Sequence, residues 1–373
     1  MRFSNFSLEN WLSKGRTDLK LFGIAFLLSL CIAFPPVELL PYHYPFFDTQ
    51  IDNPLTPVHG LDPTSHESKR AFRLTMPVIA HVLHLHQNGA YIIDLIFSYA
   101  LLYVLGLVLL RLLKDPLPAL LATCCFALSY VHQSPMHFAY LWFDGYSFFF
   151  LSLCLLLRNS YFFFPAGIAA LYCDERCYIG MAFIFYWAVS DYLDGDKLFK
   201  KKIYMPVLTV ILAVLLRFWL GKQFGLSIAT GEKAYLGFNT FFQGLEMLPI
   251  SVFGALKMLT VILVLAVYHM LLNRWYLRTA MFGALLALAL MSTAVVLDST
   301  RSLTHVYPAI FPALAVLHRQ LSRTNFVNLL KVCLLVAFLL PTYGFMGKII
   351  YFVPGAPYIR LFTLLKYCAK AVM

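Results

Sequence analysis

Long apolar stretches make up most of the chain, and polar residues interrupt them at only a few places. A helix needs roughly 20 apolar residues to cross a bilayer. On that rule residues 20–36, 91–113, 116–132, 138–157, 160–173, 177–191, 203–221, 249–271, 279–297, 303–318 and 327–346 are predicted spans. The pair 160–173 and 177–191 is short for full crossings and reads either as tilted spans or as two helices meeting at a break. The pattern thus predicts an all-α, polytopic integral membrane protein with about eleven transmembrane helices. It forms a single transmembrane domain over 1–373, with a long first extracytoplasmic loop at 37–90. The tail, 347–373, reads as an interfacial helix or a missed span.

Three charged interruptions fall on the same side when the segments are threaded alternately. They are the first loop with Asp48, Asp52 and Asp62, the turn Asp174-Glu175-Arg176, and the turn Asp298-Ser299-Thr300-Arg301. Charge beside a membrane is expensive and tends to mark a functional site.

Composition supports the membrane reading. The chain is 61% hydrophobic and 13% charged, with a mean hydropathy of +0.74, where soluble domains carry roughly 25% charged residues. The net charge of +11 fits loops biased towards Lys and Arg on the cytoplasmic side. No long basic tract or aromatic nucleic-acid motif accompanies it, so nucleic acid is not an expected partner. The loop bias puts the N-terminus in the cytoplasm and the three charged interruptions outside. The first apolar run ends at Pro35-Pro36 without a small-residue cleavage pattern and is expected to be retained. Most of the eight cysteines lie inside apolar runs, as small hydrophobes do. Cys173 and Cys177 flank the acidic turn, where a disulfide is the lesser alternative.

The first loop is the richest segment. Thr64 and Glu67 match a capping box, and the helix expected after them carries Arg70 and Arg73 beside Phe72, Leu74 and Met76. Pro77 is expected to kink or restart it, and Val78, Ile79, Val82, Leu83 and Leu85 continue an apolar face. The pattern describes an amphipathic helix at the outer membrane surface. It serves either as a surface anchor or as the flank of a cavity in which the two arginines hold a lipid phosphate. His81, His84 and His86 have no matching carboxylates for a metal site and read as interfacial.

Other charges lie within or beside predicted spans. Asp144, Asp94, Arg217 and Lys257 read either as helix-pinning pairs or snorkelling groups, or as lining of a wet cavity. Asp174, Glu175 and Arg176 form either a solvated turn or the acceptor or metal side of a site. Arg301 and His305 are candidate phosphate ligands, set against simple helix capping by Asp298 or Ser302. On the opposite side, Asp191, Asp194 and Asp196 mix with Lys197 and Lys200–Lys202. Asp194-Gly195-Asp196 matches a fragment of a calcium loop but lacks the remaining ligands.

Outward carboxylates and arginines suit transfer from a lipid-linked phosphate donor, with a carboxylate as general base and arginines on the phosphate. In its many spans, its long first outer loop with acidic residues at 48, 52 and 62, and its outer amphipathic segment, the chain resembles the GT-C superfamily of membrane glycosyltransferases. The adjacent acidic pair common in that loop of GT-C enzymes is absent. The resemblance implies transfer of a sugar from a polyprenyl-phosphate donor to a lipid or glycan acceptor outside a membrane. Asp52 or Asp62 would be the base with Asp48 near it, and Arg70, Arg73 and Arg301 would hold phosphate. It also allows a divalent cation, Mg or Mn, among the carboxylates. The compact loops suit a bacterial inner membrane. Two rival readings are a transporter or flippase using Asp144, Lys257 and Arg217 as a substrate path, and a non-catalytic membrane subunit of polysaccharide assembly.

Overall fold

The computed structural model describes residues 8–32, 45–56, 67–158, 160–195, 199–226, 238–294, 296, 298–346 and 349–352. Its elements begin with helices α1 (Leu8–Ser13), α2 (Thr17–Ile32), α3 (Pro45–Asp52), α4 (Thr75–Val82) and α5 (Gln87–Leu113). There follow α6 (Pro116–Leu128), α7 (Tyr130–Trp142), α8 (Asp144–Leu157), α9 (Phe163–Cys173) and α10 (Cys177–Leu193). The second half holds α11 (Phe199–Phe224), α12 (Phe238–Leu256), α13 (Leu259–Leu272), α14 (Tyr276–Ala294), α15 (Ser299–Thr304), α16 (Ile310–Gln320) and α17 (Arg323–Leu339). Strands β1 (Tyr343–Met346) and β2 (Ile349–Phe352) then form an antiparallel hairpin with Tyr343 opposite Phe352.

The expectation of about eleven spans is overturned. Among the described residues only Gln87–Leu113, Lys202–Phe224 and Tyr276–Ala294 are long and apolar enough to cross a membrane. A fourth is gained if Gly244–Leu256 and Leu259–Leu272, bent by 103° at their break, count as one. The 27 residues of α5 reach about 40 Å at 1.5 Å per residue, against a bilayer core of about 30 Å. The 13 residues of α6 reach only about 20 Å.

The apolar count failed for two reasons. Some apolar segments face protein on all sides: every residue of α6 from Leu117 to Leu128 is buried, as expected of a core helix. Others are broken. The predicted span 138–157 is cut at Phe143, and 249–271 is cut beside Lys257, both with positive φ. The predicted span 303–318 divides into α15, a short 3-10 turn and α16, and 327–346 ends its helix at Leu339 before β1. What remains membrane-like is an exposed apolar surface on the long helices. On α11 it includes Ile211, Leu215, Phe218 and Trp219, and on α14 Leu288 and Met291. Exposed apolar surface of this extent on helices of spanning length is consistent with membrane association.

The described part of the first loop is not one amphipathic helix. A 3-10 turn, Glu67–Phe72, is followed by a break and then α4, with Pro77 in the first turn of that helix, where proline needs no hydrogen-bond partner for its nitrogen. The expected cap Thr64 and the candidate Asp62 lie outside the described residues, as does the tail from 353. Helix α4 packs on α3, and the His81 Nδ1–H donates to the Ile51 carbonyl at 2.9 Å. Val78, Val82 and Leu83 stay exposed while Met76, Pro77 and Ala80 turn inward.

Candidate functional site: a buried arginine and carboxylate network

Four chain breaks deliver the charges. Phe143, at φ +52° and ψ +39°, ends α7 and starts α8. A left-handed conformation at a bulky residue is strained, and here it places Asp144 at the first position of α8. Gly145 allows α8 to press against α5: a Cβ there would stand 2.6 Å from the Asp94 carbonyl oxygen. The Tyr146 N–H donates to Asp94 Oδ1 at 3.1 Å and its hydroxyl donates to the Ala90 carbonyl at 3.0 Å. The turn between α9 and α10 carries Asp174-Glu175-Arg176, and Asp298 caps α15 by accepting from the Arg301 N–H at 3.3 Å. The break before α4 carries Arg73.

These charges interlock. The Arg301 guanidinium grips Asp144 through two hydrogen bonds, Nε to Oδ2 at 2.6 Å and Nη2 to Oδ1 at 2.5 Å. The Ser134 hydroxyl adds a third to Asp144 at 2.9 Å. Arg301 also stands 3.6 Å from Asp174 and 3.8 Å from Asp298. Asp174 accepts from the Arg176 backbone N–H at 2.9 Å, its Nε at 2.8 Å and its Nη2 at 2.5 Å, while Arg73 lies 3.6 Å away. Arg73 pairs with both oxygens of Glu175, at 2.9 and 3.3 Å. Arg176 donates onward to the Ser302 hydroxyl at 3.2 Å. Asp174 therefore bridges three arginines that come from the first loop, the α9–α10 turn and α15.

Burial raises the Asp174 carboxyl, but Arg176 and Arg73 outweigh it and hold the group well below the usual carboxylate range. Glu175 is lowered too: burial opposes, and Arg73 wins. Asp298 ends up raised, because burial outweighs Arg301 and Arg176. His305 is fully buried, its Nε2 has no hydrogen-bond partner among the described residues, and burial pushes it down to about 4.

Beside the network is a small cavity of about 20 Å³, room for one water-sized group. Its lining is Phe47, Arg70, Arg73, Met76, Phe143, Tyr146 and Cys173. The charged members of that lining, among the described residues, are the two arginines. The Arg70 guanidinium lies 5.0 Å from the Phe47 ring centre. Asp48 follows Phe47 on α3 and is half-buried, whereas Asp52, at the end of α3, is exposed.

The other sequence candidates are placed as follows. Lys257 donates to the Ala337 and Leu340 carbonyls at 3.3 and 3.0 Å, at the C-terminal end of α17. Arg217 donates to the Leu171 carbonyl at 3.1 Å and lies 5.5 Å from the ring centres of Phe72 and Tyr172. Cys173 and Cys177 are free thiols. Asp144, read from sequence as an intramembrane charge that needs a partner or a wet cavity, is held by Arg301 through two hydrogen bonds. Ser134 was not anticipated, since a single serine in an apolar run carries no distinguishing signal; Ser302, considered as a helix cap, accepts from Arg176 instead, and Asp298 is the cap. Among the described residues no group of three or more His, Cys, Asp or Glu side chains is arranged to hold a metal ion. The oxygens of Asp144 and Asp174 that a Mg or Mn ion would need are taken by guanidinium groups.

No protein-family model, curated protein or solved structure matches the chain.

Proposed function

We propose that this chain is a membrane glycosyltransferase that moves a sugar from a polyprenyl-phosphate donor to a lipid or glycan acceptor. The reading rests above all on the pocket at the first loop, whose charged lining is Arg70 and Arg73 and which the Asp174 network backs. The cavity itself admits only a water-sized group, so the donor phosphate docks at its mouth against these two guanidiniums, which offset charge on the phosphate as it leaves the sugar. Asp48, next to Phe47 of the pocket wall, takes the proton from the acceptor hydroxyl. Asp174, Glu175 and Arg176 hold Arg73 in place rather than touch the donor.

A second feature supports a lipid-borne substrate. An apolar groove of about 300 Å³ lies between the bent α12–α13 pair and α14, and Leu303 and Val306 line it. Leu303 shares α15 with Arg301, so one short helix joins the charged network to the groove. The lipid tail of the donor runs in that groove. In this reading the site faces outwards from a bacterial inner membrane, with the N-terminus in the cytoplasm.

The test is transfer from a panel of labelled polyprenyl-phosphate sugars by the purified chain in nanodiscs. Asp48→Asn is expected to lower kcat by about 10²-fold or more, the usual contribution of a general base. Arg70→Gln and Arg73→Gln are expected to raise KM. Full transfer by Asp48→Asn would move the base to Asp52 or Asp62, each tested by its own Asn variant. If all three variants keep full transfer, or the native chain transfers from no donor, the reading is wrong.

A further inference from the structure

Helix α11 contains an apolar stretch of spanning length, Lys202–Phe224, and Arg217 lies within it. Arg73, Arg176 and Arg301 pair with carboxylates at 2.9, 2.5 and 2.5 Å. Among the described residues no carboxylate pairs with Arg217; its hydrogen bond goes to a backbone carbonyl. A charge within a spanning segment is costly and calls for a partner. We propose that the Arg217 guanidinium binds the phosphate of a membrane phospholipid that packs against α11. The proposal is independent of the glycosyltransferase reading, because it needs only that α11 faces lipid, and its test measures no sugar transfer.

The contacts that hold Arg217 offset only part of its charge. Its Nη2–H donates to the Leu171 carbonyl at 3.1 Å, in the last turn of α9. A helix C-terminus carries roughly half a negative charge. The guanidinium also lies 5.5, 5.5 and 5.9 Å from the ring centres of Phe72, Tyr172 and Tyr178. Ring faces attract a cation but do not neutralise it. A guanidinium carries five N–H donors, and the Nε–H of Arg217 is buried with no acceptor among the described residues. A residue that only tied α11 to α9 could be neutral and avoid the desolvation cost of a charge. The Arg217 side chain is half-buried, so part of the guanidinium stays open to a ligand.

Its position favours a lipid over a free anion. Arg217 lies seven residues before Phe224, about 10 Å along the helix. The 23-residue stretch is about 35 Å long against a bilayer core of about 30 Å. Arg217 therefore sits about 8 Å inside the core boundary, within side-chain reach of the headgroups. Around the helix it stands between buried Ala213 and Leu220 on one side and exposed Val214 and Phe218 on the other. Exposed Trp219 follows, and such aromatic residues mark the level of the membrane interface. A lipid reaches this level with its phosphate on Arg217 and its acyl chains along Val214 and Phe218. The planar guanidinium matches two phosphate oxygens. Inorganic phosphate would have to leave water for an apolar surface.

The purified full chain in detergent is titrated with dioleoyl phosphatidylglycerol, and the first bound lipid is followed by native mass spectrometry. Dioleoylglycerol, which lacks the phosphate, is the neutral probe, and inorganic phosphate is the competitor. Arg217→Gln removes the guanidinium. Lys14→Gln, between α1 and α2, controls for net charge. Saturable binding of phosphatidylglycerol, weakened about tenfold in Arg217→Gln, unchanged in Lys14→Gln and not displaced by inorganic phosphate, supports the proposal. Binding of phosphatidylglycerol equal in wild type and Arg217→Gln overturns it, as does an equal loss in Lys14→Gln. Equal uptake of dioleoylglycerol, or displacement by inorganic phosphate, overturns it too. If Arg217→Gln fails to fold, Arg217→Lys decides, because it keeps the cation and loses the planar donors: weakened binding supports the proposal, and binding equal to wild type overturns it.

Discussion

The Asp144–Arg301 pair makes an asymmetric prediction. Removing one partner of a buried ion pair costs roughly 3–5 kcal/mol, mostly because the other charge is left buried without compensation. The two partners here are not equally supplied. Without Arg301, Asp144 keeps the Ser134 hydroxyl at 2.9 Å as its near neighbour. Without the Asp144 charge, Arg301 keeps Asp174 at 3.6 Å and Asp298 at 3.8 Å, and an Asn at position 144 still offers a carbonyl oxygen. Arg301→Met should therefore cost ~4–5 kcal/mol, and Asp144→Asn only ~1–2 kcal/mol. The double variant should cost less than the sum by ~1–3 kcal/mol, because the two groups couple. Unfolding of the purified protein by SDS titration in mixed micelles measures all three. The reasoning fails if Asp144→Asn costs as much as Arg301→Met, or if the two add within about 0.5 kcal/mol.

Burial depresses His305 from 6.5 to about 4 in the folded chain, so between those values the unfolded state binds the extra proton. Stability is then lost as pH falls through that window, by ~3 kcal/mol in all and ~2 kcal/mol by pH 5. His305→Phe should flatten the difference in melting temperature between pH 7 and pH 5, and an unchanged difference would remove His305 as its source. Gly145→Ala should cost ~1–3 kcal/mol by overpacking, because its Cβ would meet the Asp94 carbonyl oxygen at 2.6 Å; melting at wild-type temperature would mean that α5 and α8 separate freely.

Threading placed the segments of Arg73, Asp174 and Arg301 on one side, but through about eleven crossings that the described residues do not contain, so their convergence does not follow from that alternation. What the sequence did offer is that charges interrupting apolar runs must find partners. The number of crossings was not readable in the same way. An apolar window cannot distinguish lipid from protein as the neighbour, and α6 is apolar because protein surrounds it. Breaks at Phe143 and Lys257 also lacked a local cue. Neither residue favours positive φ, and tertiary packing imposes it: the Phe143 ring stands edge-on to Phe47 at 5.0 Å between centres. The partner of Arg301 was visible as a lone acid followed by glycine in Trp142-Phe143-Asp144-Gly145. What the pattern could not show was that α8 begins there, which turns Asp144 from a mid-helix charge into a helix-start charge.

Stability alone is a weak reason for such a network. Buried ion pairs commonly gain little over apolar groups of similar volume, because desolvation consumes most of the attraction. This chain adds further costs. It holds Phe143 in a left-handed conformation, and among the described residues Asp94 Oδ2 and His305 Nε2 are buried with no hydrogen-bond partner. Unsatisfied buried groups cost about 1–3 kcal/mol each. Strain and unmet polar groups gathered within a few residues of three interlocked arginines are consistent with the anion site proposed above. A pair serving only to pin two helices needs neither the third arginine nor the shared Asp174. Apolar replacement of the whole set, Asp144→Leu/Asp174→Leu/Arg176→Leu/Arg301→Met, separates the two roles. A structural network predicts a protein at least as stable as wild type with transfer intact, whereas a functional one predicts comparable stability with transfer abolished.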